Sequence, residues 1–303
     1  MPRKKLIILS RRPELPSVVL LTEAAQRLGV TPVVLSIDEV IVERVAKDVR
    51  SVVIRTQDGA LLSPPALVLP RMGSVSDEYS LTVLRAFEAA GFAEVNSAGA
   101  LMHVRNKVSA LIELASSGFP VLPFALLRTP SDAGAAAKKL GGFPLMVKFI
   151  RGAQGLGVMK AGDAATAEAI VGAFNALGFD VYLERFCPPR KSRDARVLVV
   201  RGKVLAAMER VRGHYDYRAN VHKGARPKGY EPTEDECGLA TRIARKFRLG
   251  LCAVDFLRTP DGDFILEVNA SPGFTGISEA TGRDVAEEVL RKLLGLRVKP
   301  KRS

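Results

Sequence analysis

Long apolar runs are absent from the 303-residue sequence. No stretch reaches the roughly 18 apolar residues that a transmembrane helix needs. Only four apolar residues follow the basic residues at the start, which is too few for a signal peptide. We therefore expect a cytoplasmic protein without a membrane partner.

Cysteine and histidine are also scarce, with three residues of each type. The cysteines, Cys187, Cys237 and Cys252, are odd in number and widely spaced, which excludes a disulfide framework and a Cys-x-x-Cys zinc site. The histidines have no spacing typical of a metal site. Any metal site is therefore expected to use oxygen ligands.

Aromatic residues make up only 6% of the chain, and no RNP motif or zinc finger is present. The formal net charge of +13 nevertheless indicates anionic ligands. A nucleotide and an acidic substrate fit this charge better than a nucleic acid does. The alternative, a nucleic-acid-binding or ribosome-binding protein, would lose affinity steeply with salt and would not need the carboxylates described next.

The segment 251–273 contains the most informative group of carboxylates. The sequence Pro-Asp-Gly at 260–262, between two alternating apolar runs, predicts a β-hairpin. In this hairpin Asp255 faces Glu267, and Asn269 follows on the same face. Because facing carboxylates repel, we expect a cation between them. Oxygen ligands select a hard ion, so the sequence predicts a Mg²⁺ site, with a solvated acidic hairpin as the alternative.

Strands and helices alternate along the first part of the chain, which predicts an α/β fold with a small parallel sheet. Strands are predicted at 6–9, 32–36 and 66–69, with helices at 17–28 and 78–91. Ligands collect beyond the carboxyl ends of such strands. Ser10, Arg11 and Arg71 lie at these ends and are candidate substrate residues.

A glycine-rich segment with basic residues follows a predicted strand at 145–150. Lys148 ends this strand, and glycines at 152–157 would let backbone amides approach an oxyanion. Lys107, at the start of a predicted helix at 107–117, could add charge. A further basic segment around Arg210 and Arg218 could hold phosphate or carboxylate groups. The alternatives are a mobile turn and a solvated basic loop.

Three of these elements together resemble the ATP-grasp superfamily, and within it the RimK-type amino-acid (glutamate) ligases. They are the Lys148 strand with its glycine loop, the Arg-Ala-Asn sequence at 218–220, and Asp255 followed by Leu-Glu-Val-Asn-Ala-Ser-Pro-Gly at 266–273. The resemblance covers nearly the whole chain. It implies a Rossmann-like pre-ATP-grasp domain at 1–95, an ATP-grasp lid at 96–184, a carboxyl-terminal ATP-grasp domain with the metal site at 185–297, and a basic tail at 298–303.

The resemblance also implies site residues. Those expected to bind ATP are Lys107, Lys148, Gly152, Gln154, Gly155, Gly157, Arg185, Phe186, Asp194, Arg218 and Asn220. Among these, Asp194 would hold the ribose, and the backbone of Arg185 and Phe186 would bind adenine. Two Mg²⁺ ions, which Mn²⁺ can replace, would bind Asp255, Glu267 and Asn269. Arg210, Arg218 and Asn220 would be catalytic, and Ser10, Arg11, Arg71 and Arg210 would face the acceptor. Arg151 and Arg185 depart from the family pattern.

The implied reaction joins a carboxylate and an amine through an acyl phosphate formed from ATP. The expected donor is L-glutamate, and the acceptor is a protein carboxyl terminus, such as that of a ribosomal protein, or an acidic metabolite. The resemblance also implies a homo-oligomer, either a dimer or a tetramer, without a direct nucleic-acid role. The alternatives are a ligase for another amino acid, of the lysine or arginine carrier-protein type, and a small-molecule kinase, which would release a stable phosphorylated product.

Overall fold

The computed structural model describes residues 5–44, 52–72, 77–152, 157–188, 193–211 and 226–296. The amino-terminal unit, residues 5–97, contains β1 (Lys5–Ser10), α1 (Pro16–Arg27), β2 (Thr31–Ser36), β3 (Val40–Arg44), β4 (Val52–Thr56), β5 (Leu61–Leu62), β6 (Ala66–Pro70), α2 (Glu78–Ala89) and β7 (Ala93–Glu94). A parallel sheet has the order β2-β1-β6-β7, and β3, β4 and β5 form a separate antiparallel sheet.

Two helices lead out of this unit. They are α3 (Ala98–Arg105) and α4 (Lys107–Ser116). The extended backbone of Asn106 separates them, and its side chain accepts a hydrogen bond from the backbone N–H of Ser109, which caps α4.

The lid unit, residues 124–185, has a sheet and a core of its own. Its elements are β8 (Phe124–Leu126), α5 (Ala133–Lys139), β9 (Leu145–Phe149), β10 (Val158–Ala161), α6 (Ala164–Ala176) and β11 (Val181–Arg185). The antiparallel sheet has the order β10-β9-β11-β8. Leu145 and Val147 on the sheet pack with Val171 of α6.

The carboxyl-terminal unit, residues 193–296, is built on the sheet that carries the predicted hairpin. It contains β12 (Arg193–Val200), β13 (Lys203–Val211), β14 (Arg226–Gly229), α7 (Glu234–Lys246), β15 (Leu251–Thr259), β16 (Gly262–Asn269), α8 (Thr275–Thr281) and α9 (Val285–Leu294). The antiparallel sheet has the order β14-β13-β12-β15-β16. Helix α7 covers one face, and α8 and α9 cover the other.

The amino-terminal and carboxyl-terminal units share their cores. Ile7 of β1 and Val197 of β12 belong to one cluster of buried side chains, and Leu6 and Leu251 belong to another. Helices α3 and α4 also pack in the first of these clusters. Val108 and Leu111 of α4 also pack with Tyr182 of the lid strand β11. The predicted lid boundary at residue 96 stays a prediction.

The structure confirms the predicted hairpin, in which Asp255 is the pairing partner of Glu267. It also confirms the predicted parallel strands and helices of the amino-terminal unit to within two residues. The sequence did not predict α5 and α6, because their alanine-rich sequences give a weak helical period. Among the described residues, no helix has the length and apolar character that crossing a bilayer requires.

Candidate active site

The hairpin β15-β16 places its polar side chains on one face of the carboxyl-terminal sheet. Asp255 and Glu267 pair directly, and Asn269 pairs with Ala253 one step along the same face. The side-chain oxygen of Asn269 accepts a hydrogen bond of 2.9 Å from the backbone N–H of Ser271. The order of these groups along the hairpin is therefore the one that the sequence predicts.

Asp255 is buried, and two arginine side chains bind its carboxylate. Arg196 donates from Nε to Oδ1 and from Nη2 to Oδ2, both at 2.7 Å, and Arg210 donates from Nη2 to Oδ2 at 2.9 Å. Burial would raise the pKa of Asp255, but the positive charges and hydrogen bonds of Arg196 and Arg210 lower it well below its usual range. The carboxylate is therefore ionised, and the repulsion expected within the hairpin is offset by arginine charge.

Arg210 joins Asp255 to a second buried carboxylate, that of Asp194. Its Nε lies 2.9 Å from Asp194 Oδ2, and its Nη2 also donates to this oxygen. Burial would lower the pKa of Arg210, but the charges of Asp255 and Asp194 raise it above its ordinary value. Because Asp194 is completely buried, the structure makes it a partner of Arg210. Its role at a ribose stays a prediction.

Glu267 faces a cleft between α3, α4 and β16. The cleft is lined by Leu101, Val104, Arg105, Lys107, Glu267, Val268, Asn269, Ala270 and Ser271. Lys107 Nζ lies 3.6 Å from Glu267 Oε2. A lysine in the first turn of a helix is disfavoured by the helix dipole, and the nearby carboxylate compensates for this. A predicted phosphate ligand and a predicted metal ligand therefore share one cleft.

The predicted phosphate ligand Lys148 forms an ion pair with Glu184 on the neighbouring strand β11. Both side chains are largely shielded from solvent. The sequence reasoning did not single out Glu184, although a carboxylate inside the apolar run of a buried strand is a recognisable signal. The pair holds the ammonium group of Lys148 at the inner face of the lid sheet.

The segment after β11 was predicted to bind adenine through its backbone. The backbone N–H of Arg185 donates to the carbonyl of Pro123 at 2.9 Å. This N–H therefore has a partner within the chain, and the role of the Arg185 backbone towards adenine stays a prediction. The Phe186 ring lies 4.3 Å from the Nζ of Lys160, and its role towards adenine stays a prediction.

The glycine loop is described only at its two ends. Gly152 is buried, and Gly157 adopts a φ of +69°. A Cβ atom at position 157 would lie 1.9 Å from the Phe149 ring, so the close approach to this ring requires glycine. Gln154, Gly155, Arg218 and Asn220 lie outside the described residues.

The predicted acceptor residues differ in their surroundings. Ser10 is fully buried, and the carbonyls of Arg12 and Arg71, at 3.2 Å and 3.3 Å, are the two acceptors within reach of its single hydroxyl proton. Arg11 is partly exposed and forms ion pairs with Asp38 and Asp77. The structure thus gives Ser10 and Arg11 partners within the amino-terminal unit, and their roles towards an acceptor stay predictions.

Arg71 is the buried member of this group. Its Nη2 donates to the carbonyl of Pro272 at 2.7 Å, and its guanidinium lies 5.0 Å from the centre of the Phe274 ring. Burial lowers its pKa to about 10, so it stays protonated at neutral pH. Within the described part of the chain, its Nε and Nη1 have no hydrogen-bond partner.

The donor set of the hairpin fits a hard divalent cation. A carboxylate has about four lone-pair positions, and the arginines occupy three of those on Asp255. One position on Oδ1 remains for a metal. Glu267 is more exposed, and its contact with Lys107 is longer than a hydrogen bond. Together with the amide of Asn269, these oxygens suit Mg²⁺ or Mn²⁺.

Comparison with known families covers almost all of the chain. A model described as the RimK PreATP-grasp domain matches residues 5–101, and a model described as the RimK-like ATP-grasp domain matches residues 104–293.

Individual relatives agree with these matches. A protein named "Probable alpha-L-glutamate ligase" from Marinomonas sp. (strain MWYL1) is 33% identical over 290 residues, which are 95% of each chain. A "Ribosomal protein bS6--L-glutamate ligase" from Escherichia fergusonii is 36% identical over 224 residues, 74% of this chain and 75% of that one. A solved structure of the ATP-grasp ligase PsnB with minimal precursor, Mg and ADP has a TM-score of 0.73 at 21% identity, and the match covers 96% of this chain and 97% of that chain.

Proposed function

The chain belongs to the RimK-like ATP-grasp family of ATP-dependent ligases, and we propose that it attaches L-glutamate to the carboxyl terminus of a protein. The expected ATP-grasp fold with an amino-terminal pre-ATP-grasp unit is confirmed by the family matches and by the structural likeness. The names of the relatives support glutamate as the donor, and one of them supports a ribosomal protein as the acceptor. Such an acceptor would be met in the cytoplasm.

One observation carries the nucleotide part of the proposal. Lys107 and Glu267 meet in a cleft that Asn269 also lines. A cation-bound triphosphate is a ligand that binds both a carboxylate and an ammonium group, because carboxylates coordinate its metal and ammonium groups form ion pairs with its phosphates. Lys148, held by Glu184 on the lid sheet, would supply a second ammonium group. Mg²⁺ bound to Asp255, Glu267 and Asn269 would neutralise phosphoryl charge.

The reaction then has two steps. In the first, an acceptor carboxylate oxygen forms a bond to the γ-phosphorus of ATP, and the bond from this phosphorus to the ADP oxygen breaks. In the second, the glutamate nitrogen attacks the acyl carbon, inorganic phosphate leaves, and the proton of the amine passes to solvent. The chain contributes positioning and positive charge, which dominate phosphoryl transfer.

Arg71 is the residue best suited to bind a carboxylate of the substrate. The Nε and Nη1 atoms of its guanidinium have no hydrogen-bond partner among the described residues, and the ring of Phe274 lies against the guanidinium. Each of these nitrogens would donate its own charge-assisted hydrogen bond to a carboxylate, because a bidentate fork also uses Nη2, which donates to Pro272. The homo-oligomeric state, dimer or tetramer, remains part of the proposal.

The proposal is tested by mass spectrometry of peptides that carry acidic carboxyl termini. The peptides are incubated with the full chain, ATP, Mg²⁺ and each amino acid in turn. We expect the product to gain the mass of one or more glutamyl residues only with glutamate. Hydroxylamine should trap the acyl phosphate as a hydroxamate when ATP and acceptor are present.

Glu267→Gln is the matched inactive variant, because it keeps the size of the side chain and removes the charge. It should keep the wild-type melting temperature and lose ligation. A stable phosphorylated product without an amide would assign the chain to a kinase instead, and full ligation by Glu267→Gln would contradict the metal role.

A further inference from the structure

Asn96 lies at the end of the amino-terminal unit, directly before the residue that caps helix α3. Its neighbour Ser97 is the residue that caps α3, by accepting a hydrogen bond from the backbone N–H of Ala100 at 3.1 Å. The side chain of Asn96 is therefore not needed for capping. It is buried, with only 1% of its surface exposed, and it points towards the carboxyl-terminal sheet.

The amide of Asn96 forms four hydrogen bonds. Its Nδ2 donates to the carbonyls of Leu251 at 2.8 Å and Ala270 at 3.0 Å. Its Oδ1 accepts from the backbone N–H groups of Gly250 at 2.8 Å and Leu251 at 3.1 Å. An amide side chain has two donors and two acceptor positions, so its full capacity is used. Asparagine alone can satisfy these four backbone groups from this position, because aspartate lacks the donors.

These backbone groups mark both ends of the metal-binding hairpin. Leu251 is the first residue of β15, the strand that carries Asp255. Ala270 directly follows Asn269, the last residue of β16. One side chain of the amino-terminal unit thus connects the start of one strand to the end of the other.

Arg71 binds the backbone segment that directly follows Ala270. Its Nη2 donates to the carbonyls of Ser271 and Pro272. Three consecutive carbonyls, at residues 270, 271 and 272, are therefore bound by two side chains of the amino-terminal unit. Ser271 in turn donates its N–H to the side chain of Asn269. The position and rotamer of this predicted metal ligand depend on the segment that Asn96 and Arg71 hold.

We propose that Asn96, assisted by Arg71, is a positioning residue that sets the metal-binding hairpin from the amino-terminal unit. The inference rests on the proposed function, because it takes Asp255, Glu267 and Asn269 as metal ligands. Residues behind the ligands tune metal affinity by about 10-fold to 100-fold when they are replaced. Asn96 reaches no ligand directly and acts through the backbone on which the ligands are carried.

The test measures the dissociation constant of Mn²⁺, used as the probe ion in the presence of ADP, by electron paramagnetic resonance. Asn96→Asp keeps the acceptor for two N–H groups and places an oxygen against the carbonyls of Leu251 and Ala270. We expect the dissociation constant to rise on the order of 10-fold. The matched control is Asn175→Asp, because the Asn175 amide donates to the carbonyl of Arg128 on the exposed lid. This control should stay within about 2-fold of wild type.

A second pair of variants covers the case in which Asn96→Asp does not fold. Arg71→Met removes the bonds to Ser271 and Pro272 together with the guanidinium contact to the Phe274 ring, and Arg201→Met removes a bond to the carbonyl of Leu293 at 2.6 Å. We expect weaker Mn²⁺ binding only for Arg71→Met. No acceptor is present in this measurement, so a role of Arg71 in substrate binding does not affect it.

The outcomes separate this inference from the proposed function. If Glu267→Gln weakens Mn²⁺ binding while Asn96→Asp and Arg71→Met do not, the positioning role is wrong and the metal site stands. A lower melting temperature with unchanged Mn²⁺ affinity would mean a purely structural role and would also overturn the inference. If Glu267→Gln binds Mn²⁺ as wild type does, the metal site and the positioning role fail together.

Discussion

Replacing Arg196 by methionine should destabilise the protein strongly, because it removes the main partner of a buried carboxylate. Arg196 donates two hydrogen bonds of 2.7 Å to Asp255. The side chains of Arg196 and Asp255 are 14% and 5% exposed, so water cannot replace the lost partner easily. Methionine keeps an unbranched apolar side chain at this position and removes the charge and the hydrogen-bond donors.

The expected magnitude follows from the bonds that remain. Removing one partner of a buried ion pair costs about 3–5 kcal/mol. Arg210 keeps its hydrogen bond of 2.9 Å to Asp255, although it also donates to Asp194. We therefore expect the lower limit, a loss of about 3 kcal/mol in the free energy of unfolding. At about 2 °C per kcal/mol, this lowers the melting temperature by about 6 °C.

The assay is urea unfolding in the presence of a chelator, so that metal binding does not contribute. Arg242→Met is the control, because Arg242 is exposed and its guanidinium lies 5.3 Å from the centre of the Phe119 ring. It should lose at most about 1 kcal/mol. Adding Asp255→Asn to Arg196→Met removes the buried negative charge that Arg196 no longer compensates and should recover part of the stability. A loss below about 1 kcal/mol for Arg196→Met, or no recovery in the double variant, would refute the reasoning.

Two further predictions concern other parts of the chain. Burial, together with a hydrogen bond and negative charge from Glu88, raises the pKa of Glu94 to about 9 from an ordinary value of 4.5. Between these values the folded chain binds more protons than the unfolded chain, so stability falls as pH rises. Glu94→Gln keeps a neutral side chain at this position. It should raise the melting temperature near pH 8 by roughly 2–4 °C, allowing for the partial exposure of the side chain. Parallel curves of melting temperature against pH for the wild type and the variant would contradict this. Gly157→Ala should destabilise the lid by more than the about 1–2 kcal/mol of backbone strain, since its Cβ would meet the Phe149 ring at 1.9 Å. Gly178→Ala is the control, because Gly178 has a similar φ of +79° and an added Cβ there would have no neighbour within 4 Å. Hydrogen exchange measures the loss of amide protection in β9. Equal losses for the two variants would refute the role of the ring.

Prediction from the sequence succeeded where the signal is local. The alternation of apolar residues around a Pro-Asp-Gly turn is enough to predict the hairpin, because a strand has a period of two residues. The turn pairs Thr259 with Gly262 and Phe256 with Ile265, and a register shift between Asp255 and Phe256 then places Asp255 opposite Glu267. The alanine-rich α5 and α6 were missed, because helices without a clear apolar stripe carry little periodic signal. The sequence also showed the arginine-rich character of the site without showing which carboxylate each arginine binds.

The sequence by itself determined the hairpin, the order of its oxygen ligands and the family to which the chain belongs. Only the tertiary structure decided the partners of these groups. Asp255 meets Arg196 from 59 residues away, and Asn96 meets Ala270 from 174 residues away. Such pairs depend on which strands become neighbours and which units share a core, and no local period encodes this. For the same reason the sequence did not show that Asp194 is buried against Arg210.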